Sequence, residues 1–251
     1  MLVIINADDL GMNQKVNDAI FQLMSDRKIT SATLLANGAS LTEAIKELPY
    51  FPNCSFRVHL NATEFKPLTK NNELKTILDK NGCFRGYDLI RNMRIGPPLS
   101  HAIYIEFCAQ IEKLYSLGVK ISHIDSHHNI ITIPRFFPIL KRIQKRYGLK
   151  KVRISLNMYH CNHKTSLILL TKKRIFNFMQ RHYYATKTTS IFTVLFTFYE
   201  KGKLNKLKKY RSCEIVVHPG AVNSNDEMAL LMSPWIKDLP FDIKLINYNE
   251  L

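Results

Sequence analysis

The chain has 251 residues, 46% of them hydrophobic and 22% charged, which supplies one sizeable core and excludes a disordered tail. With only 9 Gly and 10 Pro and no fixed-period repeat, collagen-like, low-complexity and solenoid architectures are excluded too. The net charge of +16 is unevenly spread: residues 141–211 hold 19 of the 36 Lys and Arg against a single acid, Glu200, so this stretch carries +18 and the rest of the chain −2. A fold-wide field for nucleic acid would spread or stripe its charge, whereas a confined patch points to one face meeting something anionic; a solvated face is the equal alternative.

Cys54, Cys83, Cys108, Cys161 and Cys213 are odd in number and widely spaced, without a CxxC pair. They are expected to be reduced, mostly buried thiols of a cytoplasmic protein. The opening Met1-Leu2-Val3-Ile4-Ile5 has neither a positive n-region nor a cleavage site, so no signal peptide is expected. The longest uncharged apolar stretch, near residues 191–199, falls well short of the ~20 needed to span a bilayer.

In chain order, residues 2–5 are a continuous apolar run that predicts a strand buried on both faces. Val16, Ala19, Ile20, Leu23 and Met24 then recur at helical spacing, with Asn13 as N-cap. Residues 33–35 and the periodic Leu41, Ala44, Ile45 and Leu48 repeat the strand–helix unit, and residues 56–60 begin a third strand. Residues 65–100, with Pro67, Gly82, Gly86, Gly96 and Pro97-Pro98, are expected to be an irregular excursion or lid. A helix over 101–117, a strand over 119–125, a helix after Pro134 and short strands at 151–154 and 215–217 complete the pattern. Residues 165–211 are harder to place: their basic amphipathic pattern fits an outer helix of the fold or, less readily, a helix lying on a membrane. Alternating strands and helices over this length favour a deformed or incomplete (β/α) barrel, in one domain over 1–251 with a basic variable segment at about 160–212. An open dinucleotide-binding sheet is disfavoured, since no Gly-x-Gly-x-x-Gly follows the first strand.

Four polar clusters fall where predicted strands end: Asp8-Asp9, His59, His123/Asp125/His127 and His218-Pro219-Gly220. The C-terminal ends of parallel strands converge on one face, so these residues are expected in one site. An Asp and two His suit a divalent metal and leave positions open for water or substrate. His59 and His127 are the expected imidazole ligands, while His123 and Asp125 orient their neighbours. Adjacent side chains diverge, so one of Asp8 and Asp9 is expected to bind metal and the other to act beside it as general base.

These motifs resemble the YdjC-like carbohydrate deacetylases. Asn6-Ala7-Asp8-Asp9-Leu10-Gly11 is similar to that family's opening signature, Val58-His59-Leu60-Asn61-Ala62-Thr63 to its second motif and His123-Ile124-Asp125-Ser126-His127 to its third, with Arg153 and Glu214-Ile215-Val216-Val217-His218-Pro219-Gly220 completing the set. The resemblance implies a metal-dependent hydrolase that removes an acetyl group from an N-acetylated amino sugar in a glycan or glycolipid. It assigns Asp9, His59 and His127 to one divalent ion, magnesium or zinc, Asp8 to the base, His218 to the acid, and Arg153 to positioning Asp8 or substrate oxygens, or to a structural carboxylate. Two departures stand out: Arg57 where the family usually has Gly, and Asn129 where it often has a second His. Peripheral contact with an anionic membrane at its cytoplasmic face and a homodimer are further expectations, and nucleic acid is disfavoured. The rivals are hydrolysis of another amide or a phosphate ester on the same barrel, and a non-catalytic protein binding anionic membrane or nucleic acid through residues 141–211.

Overall fold

The computed structural model describes residues 1–160, 166–222 and 224–251. The chain opens with β1 (Leu2–Leu10), α1 (Gln14–Ser25), β2 (Ser31–Leu34), α2 (Leu41–Glu47) and β3 (Ser55–Leu60). It continues with α3 (Tyr87–Asn92), α4 (Pro97–Ser116), β4 (Ile121–Ser126) and α5 (Phe137–Tyr147), and ends with α6 (Leu167–His182), β5 (Ile191–Val194), α7 (Leu195–Lys203), β6 (Ser212–Val217), α8 (Asn225–Met232) and β7 (Lys244–Leu245). The sheet is parallel in the order β4-β3-β2-β1-β6-β5, with β7 against the start of β1. Residues 150–157 bridge the gap between its ends. Ile124 N–H donates to Lys151 O at 3.0 Å, Val152 N–H to Lys187 O at 3.1 Å, and Phe192 N–H to Asn157 Oδ1 at 2.9 Å. The result is the expected curled, incomplete (β/α) barrel, with Ile20, Leu23, Ala44, Phe107, Ile111 and Ile143 of the surrounding helices packed in one core.

Several local expectations are corrected. β1 runs on past Ile5 through the polar residues, where the buried Asn6 amide donates to Asp8 Oδ1 at 2.7 Å while its own Oδ1 has no hydrogen bond. Pro97 and Pro98 open α4 rather than closing the excursion, since a missing N–H costs nothing in a helix's first turn. Residues 65–96 are no loose lid: Leu74, Ile77, Phe84 and Ile90 are buried, and buried Glu106 of α4 accepts from the Leu68 and Thr69 amides at 2.9 and 2.8 Å. Residues 151–154 make only isolated bridges, not a regular strand, and β5 lies in the stretch without a predicted strand.

Cys108 and Cys213 are buried thiols, Cys54 and Cys83 are half-buried and free, and Cys161 lies outside the described residues. Among the described residues no helix is long and apolar enough to cross a membrane.

Candidate metal centre

The strand ends converge as the parallel sheet requires. Asp8 and Asp9 close β1, His59 lies at the end of β3, Asp125 at the end of β4 with His127 one step beyond, and His218 directly after β6. Two glycines let the surrounding loops approach. A Cβ on Gly38 would sit 2.2 Å from Gly11 O, so two loops cross backbone to backbone; Gly220, at φ +76°, lets the turn after His218 rest on Lys15 and Val16 at the start of α1. Asn13 caps that helix as expected, accepting from Val16 N–H at 3.0 Å.

Neighbouring Asp8 and Asp9 diverge, and Asp9 adopts φ +72°, where Asp is among the more tolerant residues. Its Oδ1 lies 3.2 Å from His59 Nε2 and 2.8 Å from His127 Nδ1, yet this buried oxygen takes part in no hydrogen bond. His59 Nδ1 donates to Asp125 Oδ1 at 2.7 Å. That leaves the Nε2 lone pair facing a carboxylate oxygen, a repulsive contact unless a proton or a metal cation lies between them. Burial pushes the His59 imidazole down, but Asp125, Asp8 and Asp9 together lift it to about 10, so the position calls for positive charge. Burial likewise pushes the Asp9 carboxyl up, while the two imidazoles hold it well below the usual range. Asp9, His59 and His127 each offer a donor atom within 4.8 Å of the others, a set that fits a divalent ion with open positions. His127 Nε2 is a second buried atom without a hydrogen bond, 3.3 Å from Glu64 Oε2.

Asp8 faces a different world. Arg153 grips it with two bonds of 2.8 Å and Arg57 adds one of 3.1 Å. Burial pushes its carboxyl up, but Arg153, His59 and Arg57 outweigh that and hold it well below the usual carboxylate range. Both guanidiniums are themselves buried. They also lie 2.6 and 2.7 Å from Asp125 Oδ2 and reach Glu214 Oε1 at 3.1 and 2.7 Å. Glu214 Oε2 accepts from the Tyr248 hydroxyl. His123 stays behind this cluster rather than at the centre, stacked on Tyr248, with Arg57 Nη1 donating to its Nε2 at 2.7 Å. Burial, Arg57 and Arg153 keep its imidazole well below the usual range, hence neutral.

His218 is half-exposed, with Nε2 3.8 Å from Asp8 Oδ2, and its amide donates to Glu227 Oε2 at 2.7 Å. The structure thus gathers Asp8, Asp9, His59, Asp125, His127, Arg153 and His218, and sets His123 one layer deeper. Sequence reasoning missed Glu64, Glu214, Tyr248 and Glu227. The signal for Glu214 was available: a charge inside an apolar strand needs a buried partner, and Arg57 and Arg153 stand in similar company. His128 lies 3.0 Å from Thr63 Oγ1 and 3.9 Å from Glu64 Oε1. Asn129, at φ +54°, keeps a buried Oδ1 without a partner.

The chain is similar to several known proteins. The carbohydrate deacetylase of Vibrio cholerae serotype O1 (strain M66-2) is 35% identical over 147 residues, 59% of this chain and 56% of that protein. The carbohydrate deacetylase of Geobacillus stearothermophilus is 33% identical over 148 residues, 58% and 57%. These matches span little more than half the relatives' length. A crystal structure from Enterococcus faecalis V583, of a protein to which cellobiose-phosphate cleavage has been ascribed, superposes with a TM-score of 0.77 at 21% identity, covering 99% of this chain and 98% of that one, a likeness of fold. The sequence profile of the YdjC-like protein family matches residues 2–240, from the start of β1 to beyond α8, and the chain belongs to that family.

Proposed function

We propose that the protein is a metal-dependent carbohydrate deacetylase that hydrolyses the acetamide of an N-acetylated amino sugar. The observation that carries this reading is the buried Asp9 oxygen, held between two imidazoles without a hydrogen bond, beside an ionised Asp8 and a solvent-accessible His218. Relatives named carbohydrate deacetylase supply the substrate class.

Asp9, His59 and His127 hold the ion, zinc or magnesium, and Asp125 fixes the His59 ring through Nδ1. When bound, a divalent cation supplies what a weak base such as Asp8 needs: an acidified water and a polarised acetyl carbonyl. Asp8 accepts the water's proton, and its arginine clamp fixes the accepting oxygen. The oxygen–carbon bond forms, the carbon–nitrogen bond breaks, and His218 delivers a proton to the departing nitrogen. The products are acetate and the free amino sugar.

The test is acetate release from a panel of N-acetylated oligosaccharides, with and without chelator and after adding back zinc or magnesium. Release that depends on metal is expected; a fully metallated protein that frees no acetate from any member, yet hydrolyses a phosphate ester, would overturn the reading.

A further inference from the structure

Helix α6 exposes more large apolar side chains than it buries. The side chains it buries among neighbours include polar Asn177 and Gln180: Asn177 Oδ1 accepts from Ser155 N–H at 3.0 Å and Gln180 Nε2 donates to Arg153 O at 3.0 Å. Its outward face carries large apolar side chains, with Leu167 80%, Ile168 68% and Phe178 61% exposed and Ile175 and Met179 beside them, among exposed Thr171, Lys172 and Arg174. A contiguous run of large exposed apolar side chains on a water-facing helix is a disfavoured surface and marks a docking face.

What covers that face is indicated by charge. Two adjoining grooves of about 660 Å³ each, sharing Met158, Lys201 and Tyr210, connect Phe178 and Arg174 of α6 to Lys206, Lys208 and Lys209. The only acid of residues 141–211, Glu200, is engaged by His160 at 2.6 Å, so no acid of this segment is left for those lysines. A second copy of the chain would bring another +18 against the first. An anionic lipid surface instead meets both requirements, apolar acyl chains for the helix face and headgroup charge for the lysines.

The helix also lies at the right end of the molecule. Gln180 contacts residue 153, Asn177 residue 155 and Lys173 residue 156, so α6 runs antiparallel to a segment that runs parallel to β4. Its first turn, with Leu167 and Ile168, therefore projects toward the end where the strands carry Asp9, His59 and His127.

We propose that the outward face of α6, flanked by Lys201, Lys206, Lys208 and Lys209, docks the protein on an anionic lipid bilayer. This inference does not rest on the deacetylase reading, and its test needs no substrate. The full chain is sedimented with vesicles of phosphatidylcholine alone and of phosphatidylcholine mixed with phosphatidylglycerol, across a salt series. Binding to the mixed vesicles only, weakened by salt, is expected. The triple variants L167S/I168S/F178S and K206E/K208E/K209E should each lower partitioning roughly tenfold or more, with unchanged circular dichroism because the replaced side chains are exposed. Absence of binding to mixed vesicles at low salt, or full binding by both variants, would overturn the proposal. So would a dimer in light scattering that L167S/I168S/F178S dissolves, or oligonucleotide binding tighter than vesicle binding and indifferent to that variant.

Discussion

Asp8 and Asp9 are neighbours in the chain and belong to two opposite electrostatic regions. Beneath the strand ends, two buried guanidiniums stand against Asp8, Asp125 and Glu214, every carboxylate within 3.1 Å of an arginine nitrogen. At the mouth, Asp9 has only the imidazoles of His59 and His127, and its inner oxygen is without a hydrogen bond. In the first region every carboxylate has an arginine partner within the chain, although the three carboxylates outnumber the two guanidiniums. The second is arranged around a positive charge that the side chains do not permanently supply. A single β-strand can serve both because its side chains alternate, and because Asp9 leaves the strand geometry at φ +72°.

The sharpest way to break this comparison is to unbalance the first region. Arg153→Met leaves three buried carboxylates with Arg57 alone, and is expected to lower stability to urea by about 3–5 kcal/mol, the usual cost of stripping one partner from a buried ion pair. Asp9→Asn should cost only about 1–2 kcal/mol in chelator. Metal addition should separate it from the wild type: about 4 kcal/mol of added stability for the wild type at a thousandfold excess of free ion over Kd, and little or none for Asp9→Asn. Equal metal stabilisation of both proteins would remove Asp9 from the centre.

Next in size are the effects on rate. Asp8→Asn should retain metal, measured by elemental analysis, and lose on the order of 10²–10⁴ in acetate release, the usual worth of a positioned proton-transfer group. His218→Ala should lose about 10² with no loss of stability, since its ring is half-exposed. Loss of metal in Asp8→Asn would mean that the two aspartates divide the work in the reverse sense.

The sequence displayed the mouth of this site better than its floor. Asp8-Asp9, His59, His127 and His218 could be grouped because each follows a short apolar run, and parallel strands bring such ends together. The floor was harder to read because Arg57 and Glu214 of β3 and β6 and Arg153 of the bridging segment lie more than 60 residues apart, and only the fold reveals that they meet. The 151–157 stretch and β5 were obscure for another reason. Their pairing is irregular and short, so neither a period of two nor flanking turn residues announces it. Residues 65–96 misled because Gly and Pro mark the turns, whereas Leu74, Ile77, Phe84 and Ile90, which pin the segment, follow no single period.

The smallest expected effect concerns a buried cation which, unlike Arg57 and Arg153, has no carboxylate partner among the described residues. Lys141 of α5 is buried and donates to Gln144 Oε1, Gln180 O, Tyr183 O and Thr186 Oγ1 at 2.8–3.1 Å, all neutral acceptors. Burial without a counter-ion pushes its ammonium down to about 8 from the ordinary 10.5. The unfolded chain therefore binds more protons than the folded one between about 8 and 10.5, and stability must rise with pH across that window. Below about 8 the penalty of burying the charged group is full, and above about 10.5 it is gone. The slope from this lysine cannot exceed about 1.4 kcal/mol per pH unit. Urea unfolding of the wild type and of Lys141→Met over the same range isolates it, because every other titrating group is common to both. A difference in slope of the stated sign would show that neutral acceptors do not replace a counter-ion. Parallel curves would show that these four acceptors hold the ammonium as firmly as the carboxylates hold Arg153.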